Sequence, residues 1–64
     1  MIAPRFVKEF YGYNKKRLLM LCVPSTERDE AISKAEKYLG FCERGMISPN
    51  EAVQAIGECF RVFL

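Results

Sequence analysis

Residues 1–64 read as a small α+β domain, with an N-terminal β-hairpin packed on a C-terminal antiparallel helical hairpin in the order ββαα. Two features predict the helices. Ser48-Pro49-Asn50-Glu51 opens a sharply amphipathic stretch, and apolar residues recur at helical intervals between Ala31 and Cys42. A third feature predicts strands. Leu18 to Val23 is an unbroken apolar run of six residues, bounded by Lys15-Lys16-Arg17 and by Pro24, which has the length and character of a buried strand. A chain of 64 residues holds one domain at most.

The hairpin is assigned to about residues 3–24. In Arg5 to Tyr11, Phe6, Lys8 and Phe10 would share one strand face and Val7, Glu9 and Tyr11 the other. Gly12-Tyr13-Asn14-Lys15 supplies the turn, since Gly and Asn tolerate positive φ. A short helix from Pro4, with Phe6, Val7, Phe10 and Tyr11 on one face, is the alternative.

The first predicted helix spans about 26–44. Thr26 and Asp29 have capping-box spacing, and Glu27, Asp29 and Glu30 crowd the first turn, where the helix dipole favours negative charge. Ala31, Ile32, Ala35, Tyr38, Leu39 and Cys42 trace one face. Glu30 and Lys34 form an i,i+4 pair, and Arg44 then Gly45 give the expected C-terminal order. The second helix spans about 48–63, with Ser48 as cap, Pro49 at the first helical position and Glu51 at the third. Its apolar face is Ala52, Val53, Ile56, Cys59, Phe60 and Phe63. Gly40 and Gly57 fall toward the polar faces, each at a cost of about 1 kcal/mol relative to alanine.

Composition narrows the function classes. Half the residues are apolar and 28% charged, which is globular rather than disordered. That apolar share is high for a chain that buries only about 60% of its unfolded surface, so part of it is expected at an interface. Charge is uneven. Residues 1–24 carry five cations against Glu9, a net +4, and residues 25–64 carry five cations against seven acids, a net −2. Three cysteines, Cys22, Cys42 and Cys59, stand far apart with no CxxC, and no histidine is present. A structural zinc site and a disulfide framework are both poor fits. Thiols serving as small hydrophobes in a reducing cytoplasm fit better. The apolar run is too short and too internal for a secretory signal or a membrane span.

No catalytic, cofactor-binding or metal-ligating residues are assigned. Without histidine the common general base is missing, and the cysteines have no cationic neighbour in sequence to activate them. The expected function is a non-enzymatic protein-interaction module, a regulator or inhibitor acting on a larger protein. Its size is that of many phage or mobile-element products. Phe60, Val62, Phe63 and Leu64 form a surplus apolar C-terminus and are assigned to a dimer or partner interface, with a homodimer expected. Arg5, Lys8, Lys15, Lys16 and Arg17 are assigned to an anionic partner. The second functional reading is nucleic-acid binding, with Lys15-Lys16-Arg17 on the hairpin neutralising phosphates.

Overall fold

The structure, a computed structural model, describes residues 2–64. It holds three helices: α1 over Pro4–Leu21, α2 over Thr26–Glu43 and α3 over Pro49–Arg61. No strand occurs among the described residues. The α+β class and the ββαα order are therefore corrected to an all-helical bundle. The chain folds up, down and up, so the ends of α1 and α3 meet: the Cys22 thiol lies 3.9 Å from the Phe63 carbonyl oxygen.

The correction concerns residues 4–21. Pro4 stands at the helix start, where its missing N–H costs nothing. Val7, Tyr11 and Leu18 fall on one face and are buried. The presumed turn residues are absorbed. Asn14 lies within α1 and its side-chain amide donates to the Phe10 carbonyl at 2.8 Å, and Gly12 sits mid-helix with open space around it. The apolar run Leu18–Val23 drops its strand character for a physical reason. A two-stranded hairpin is marginal without further strands or a packed face, whereas a helix satisfies its own backbone and needs to bury only one stripe. Leu18 supplies that stripe, while Leu19, Met20, Leu21 and Val23 remain exposed.

The helical hairpin stands as expected, with adjusted ends. Ser25, not Thr26, caps α2: its hydroxyl accepts from the Arg28 N–H at 3.1 Å. α2 ends in a Schellman motif, where Gly45 at φ 76° donates to the Cys42 carbonyl at 3.0 Å and Met46 to the Phe41 carbonyl at 2.9 Å. α3 begins with a complete capping box. Ser48 Oγ accepts from the Glu51 N–H at 3.1 Å, and the Glu51 carboxylate accepts from the Ser48 N–H at 3.0 Å. The Ser48 backbone N–H first, and then the Ser48 hydroxyl, hold the exposed Glu51 carboxyl below its ordinary pKa.

Nine residues make the core: Val7, Tyr11, Leu18, Ala35, Leu39, Cys42, Ala52, Ile56 and Phe60. Ala35 and Ala52 are fully buried, and their small side chains let α2 and α3 approach closely. The two share the most extensive interhelical contact. Phe60 closes the core from α3, with its ring 6.3 Å from that of Tyr11. Among the described residues no polar or charged side chain is buried. The bundle measures 33 × 16 × 14 Å between its outer Cα atoms.

Candidate interaction surface

α1 carries two seams. The inner one faces the core. The outer one runs Phe6, Phe10, Tyr13, Arg17 and Met20, at intervals of 4, 3, 4 and 3, the spacing with which one helix face meets another. Phe6, Tyr13 and Met20 are 47%, 62% and 73% exposed. Phe6 and Phe10 stack at 6.1 Å, and the Arg17 guanidinium lies 5.6 Å from the centre of the Tyr13 ring. Phe10 leans toward α3, where its ring edge lies 3.7 Å from the place a Gly57 side chain would begin. Gly57 thus faces α1 and not the solvent, as its position in the sequence had suggested. A shallow groove results, walled by Phe10, Asn14 and Arg17 of α1 and by Val53, Gly57 and Arg61 of α3.

The cations of the first 24 residues are redistributed by the helix. Lys15, Lys16 and Arg17 do not crown a hairpin turn. Successive helical residues point about 100° apart, so the trio fans out. Lys15 lies over the Tyr11 ring, its ammonium 5.9 Å from the centre. Tyr11 in turn donates to Glu36 on α2 at 3.0 Å, so this cation stands near an acid. Arg17 turns to the outer seam, and Lys16 points to solvent. A different grouping appears in their place. Arg5, Lys8, Lys15 and Lys16 lie within about 100° of arc over about 16 Å of α1, with Gly12 among them and Glu9 at the margin.

The C-terminal residues divide by burial. Phe60 belongs to the core at 1% exposure and Phe63 is half-buried against it. Val62 and Leu64 are exposed at 83% and 41%. They lie at the end of the bundle where α1 closes with the exposed Leu19, Met20, Leu21 and Val23.

Two further ionisable groups are shifted by their surroundings. The Tyr11 phenol is pushed up to about 12, first by burial and then by its hydrogen bond to Glu36 and that carboxylate's charge. Burial likewise raises the Cys59 thiol, outweighing the nearby Lys34 ammonium. All three cysteines are free, Cys42 buried and Cys22 and Cys59 half-buried. Among the described residues no cluster of three or more ligating side chains could hold a metal ion. Nor is any described helix long and apolar enough to cross a membrane.

The 4-3-4-3 spacing of the outer seam was available in the sequence. It was hidden because Arg17 is a cation and because Gly12 and Asn14 resemble a turn. Comparisons with protein-family models, curated proteins and solved structures give no match.

Proposed function

We propose that this protein is a non-catalytic protein-interaction module, a small regulator or inhibitor that binds a larger protein through the outer seam of α1. The observation that carries this reading is the repeat Phe6, Phe10, Tyr13, Arg17 and Met20, exposed at all but the half-buried Phe10, beside the α1–α3 groove. Monomeric proteins seldom leave an aromatic seam of this kind in water, and a contiguous apolar patch marks a binding surface. An amphipathic helix of the partner fits it, lying along α1 and α3 as a fourth member of the bundle. The sequence supports the non-catalytic part, since it lacks histidine. The three free thiols support a reducing cytoplasm as its compartment.

Site-specific photocrosslinking in cells tests the proposal. A benzophenone side chain replacing Tyr13 is expected to yield one discrete, larger adduct. The same probe replacing Lys37, exposed on α2, is expected to yield none. Adducts that are absent at Tyr13, or indistinguishable between the two sites, would defeat the reading.

Nucleic-acid binding is retained as the second reading, on the basic flank of α1 formed by Arg5, Lys8, Lys15 and Lys16. It requires binding to mixed-sequence duplex that weakens with salt. Replacing Lys8 and Lys16 with alanine should then flatten the slope by about 0.9 log unit per lost phosphate contact. An unchanged slope removes those residues as contacts.

A further inference from the structure

We infer that a second copy of this chain covers the apolar end of the bundle, giving an end-to-end dimer with two-fold symmetry. This surface adjoins the outer seam of α1 and shares Arg17 and Met20 with it, but it is centred on the bundle end and does not rest on the proposed function.

Three observations converge on that end. First, Leu19, Met20, Leu21, Val23, Val62 and Leu64 are all at least 41% exposed, and the meeting of Cys22 with Phe63 brings both chain segments together. One end thus holds six of the large exposed apolar side chains, against Phe6 and Met46 at the opposite end.

Second, the charges beside α3 at this end are of opposite sign on its two sides. Arg17 and Arg61 share the α1–α3 groove with Leu64. Glu27 and Glu30 share the α2–α3 groove with Val62. Lys34 lies one turn farther from the end, and Glu58 borders both grooves. A two-fold axis across the end face brings the basic side of one copy onto the acidic side of the other. An isologous interface requires self-complementarity of this kind. A wholly acidic or wholly basic partner would match only one side.

Third, the area sets the strength of the contact. The bundle end is 16 × 14 Å between Cα atoms. Widened by about 3 Å of side chain all round, it projects about 400 Å². Leu19 and Met20 extend the patch down the flank of α1. A standard interface takes about 800 Å² from each partner, roughly a sixth of the 4604 Å² surface. The end is therefore sized for a modest, reversible dimer.

Charge reversal tests the arrangement. One variant carries Arg17→Glu and Arg61→Glu, so that both sides are acidic. The other carries Glu27→Lys and Glu30→Lys, so that both are basic. Sedimentation equilibrium is run from about 1 μM to 1 mM, the range of micromolar affinity, with circular dichroism to confirm each fold. The wild type is expected to approach twice 7.4 kDa. Each variant alone should associate at least about tenfold more weakly, a change of about 1.4 kcal/mol, and a one-to-one mixture should recover the dimer. Val62→Glu, at a position 83% exposed, serves as a second probe and should abolish association even if a charge-reversed chain fails to fold. A wild type that stays at 7.4 kDa, a mixture no better than its components, or a Val62→Glu chain that still dimerises would each overturn the inference. The Val62→Glu outcome is read apart from the Tyr13 crosslink, because Val62 lies on the α2–α3 side of the bundle.

Discussion

Leu18 and Met20 separate a helix from a strand in a single experiment. On a strand they share a face, because side chains alternate with a period of two. On α1 they do not: Leu18 is fully buried between the helices, and Met20 is 73% exposed. Truncating Leu18 to alanine trims a fully buried isobutyl side chain to a methyl in a core of nine residues. Such changes cost about 2.7–5.0 kcal/mol, the upper values where the cavity stays open. A bundle of three short helices can settle partly into the space, so about 3 kcal/mol is expected. For a domain of this length that lowers the midpoint by about 12–24 °C. Met20→Ala should remain within about 0.5 kcal/mol, as exposed substitutions do. The assay is thermal and urea unfolding followed by circular dichroism at the helical minimum. A total stability of about 3–10 kcal/mol leaves room for Leu18→Ala to be partly unfolded at 25 °C, so the pair is also measured in a Gly12→Ala background. Equal losses at Leu18 and Met20 would refute the helical assignment of α1.

Three further outcomes are expected. Gly12→Ala should stabilise the protein by about 1 kcal/mol, because the helix gains propensity and nothing lies within 4 Å of the added methyl. Gly45→Ala should cost about 1–2 kcal/mol, because a φ of 76° places a side chain in the left-handed region; urea midpoints of the two variants should move in opposite directions. The Tyr11 contribution is pH-dependent. Its folded pKa is raised from 10.0 to about 12, so the neutral phenol's stabilisation is complete below about pH 9 and is lost as pH rises from 10 towards 12. The stability difference between wild type and Tyr11→Phe should follow that course in urea melts, and a difference constant to pH 12 would contradict the buried hydrogen bond.

The two C-terminal helices were legible because their start and stop chemistry is local. Ser48, Pro49 and Glu51 act within one turn, and Gly45 is needed at a single positive φ. The misplacement of the α2 cap by one residue shows the limit of such signals: Ser25 and Thr26 can each accept the bond, and the backbone entry angle decides. α1 was misread because its cues are not local. Gly12 and Asn14 favour a turn on propensity, and Leu18–Val23 favours a strand. What outweighs them is the burial of Val7, Tyr11 and Leu18 against two other helices, a gain that no short window of sequence contains. The Leu-rich run looked like core because apolar residues stood together, yet only Leu18 reaches the interior.

The same distinction between neighbours in sequence and neighbours in space governs the candidate surface. Lys15-Lys16-Arg17 is the densest charge cluster in the chain, and on a hairpin turn it would act as one anionic-partner site. On α1 the helical step spreads it over three directions: one cation over Tyr11 near Glu36, one to solvent and one over Tyr13. The Lys15 and Arg17 side chains lie across aromatic rings one turn earlier, where a cation over a ring face is attracted by its quadrupole. Arg17 is thereby held along a seam whose other members are apolar or aromatic. A partner helix with an acid opposite Arg17 and apolar residues opposite Phe6, Phe10, Tyr13 and Met20 would satisfy every group on that face. Phosphates offer no counterpart to three exposed apolar side chains at seven-residue intervals, which is why protein binding ranks above nucleic-acid binding for this chain.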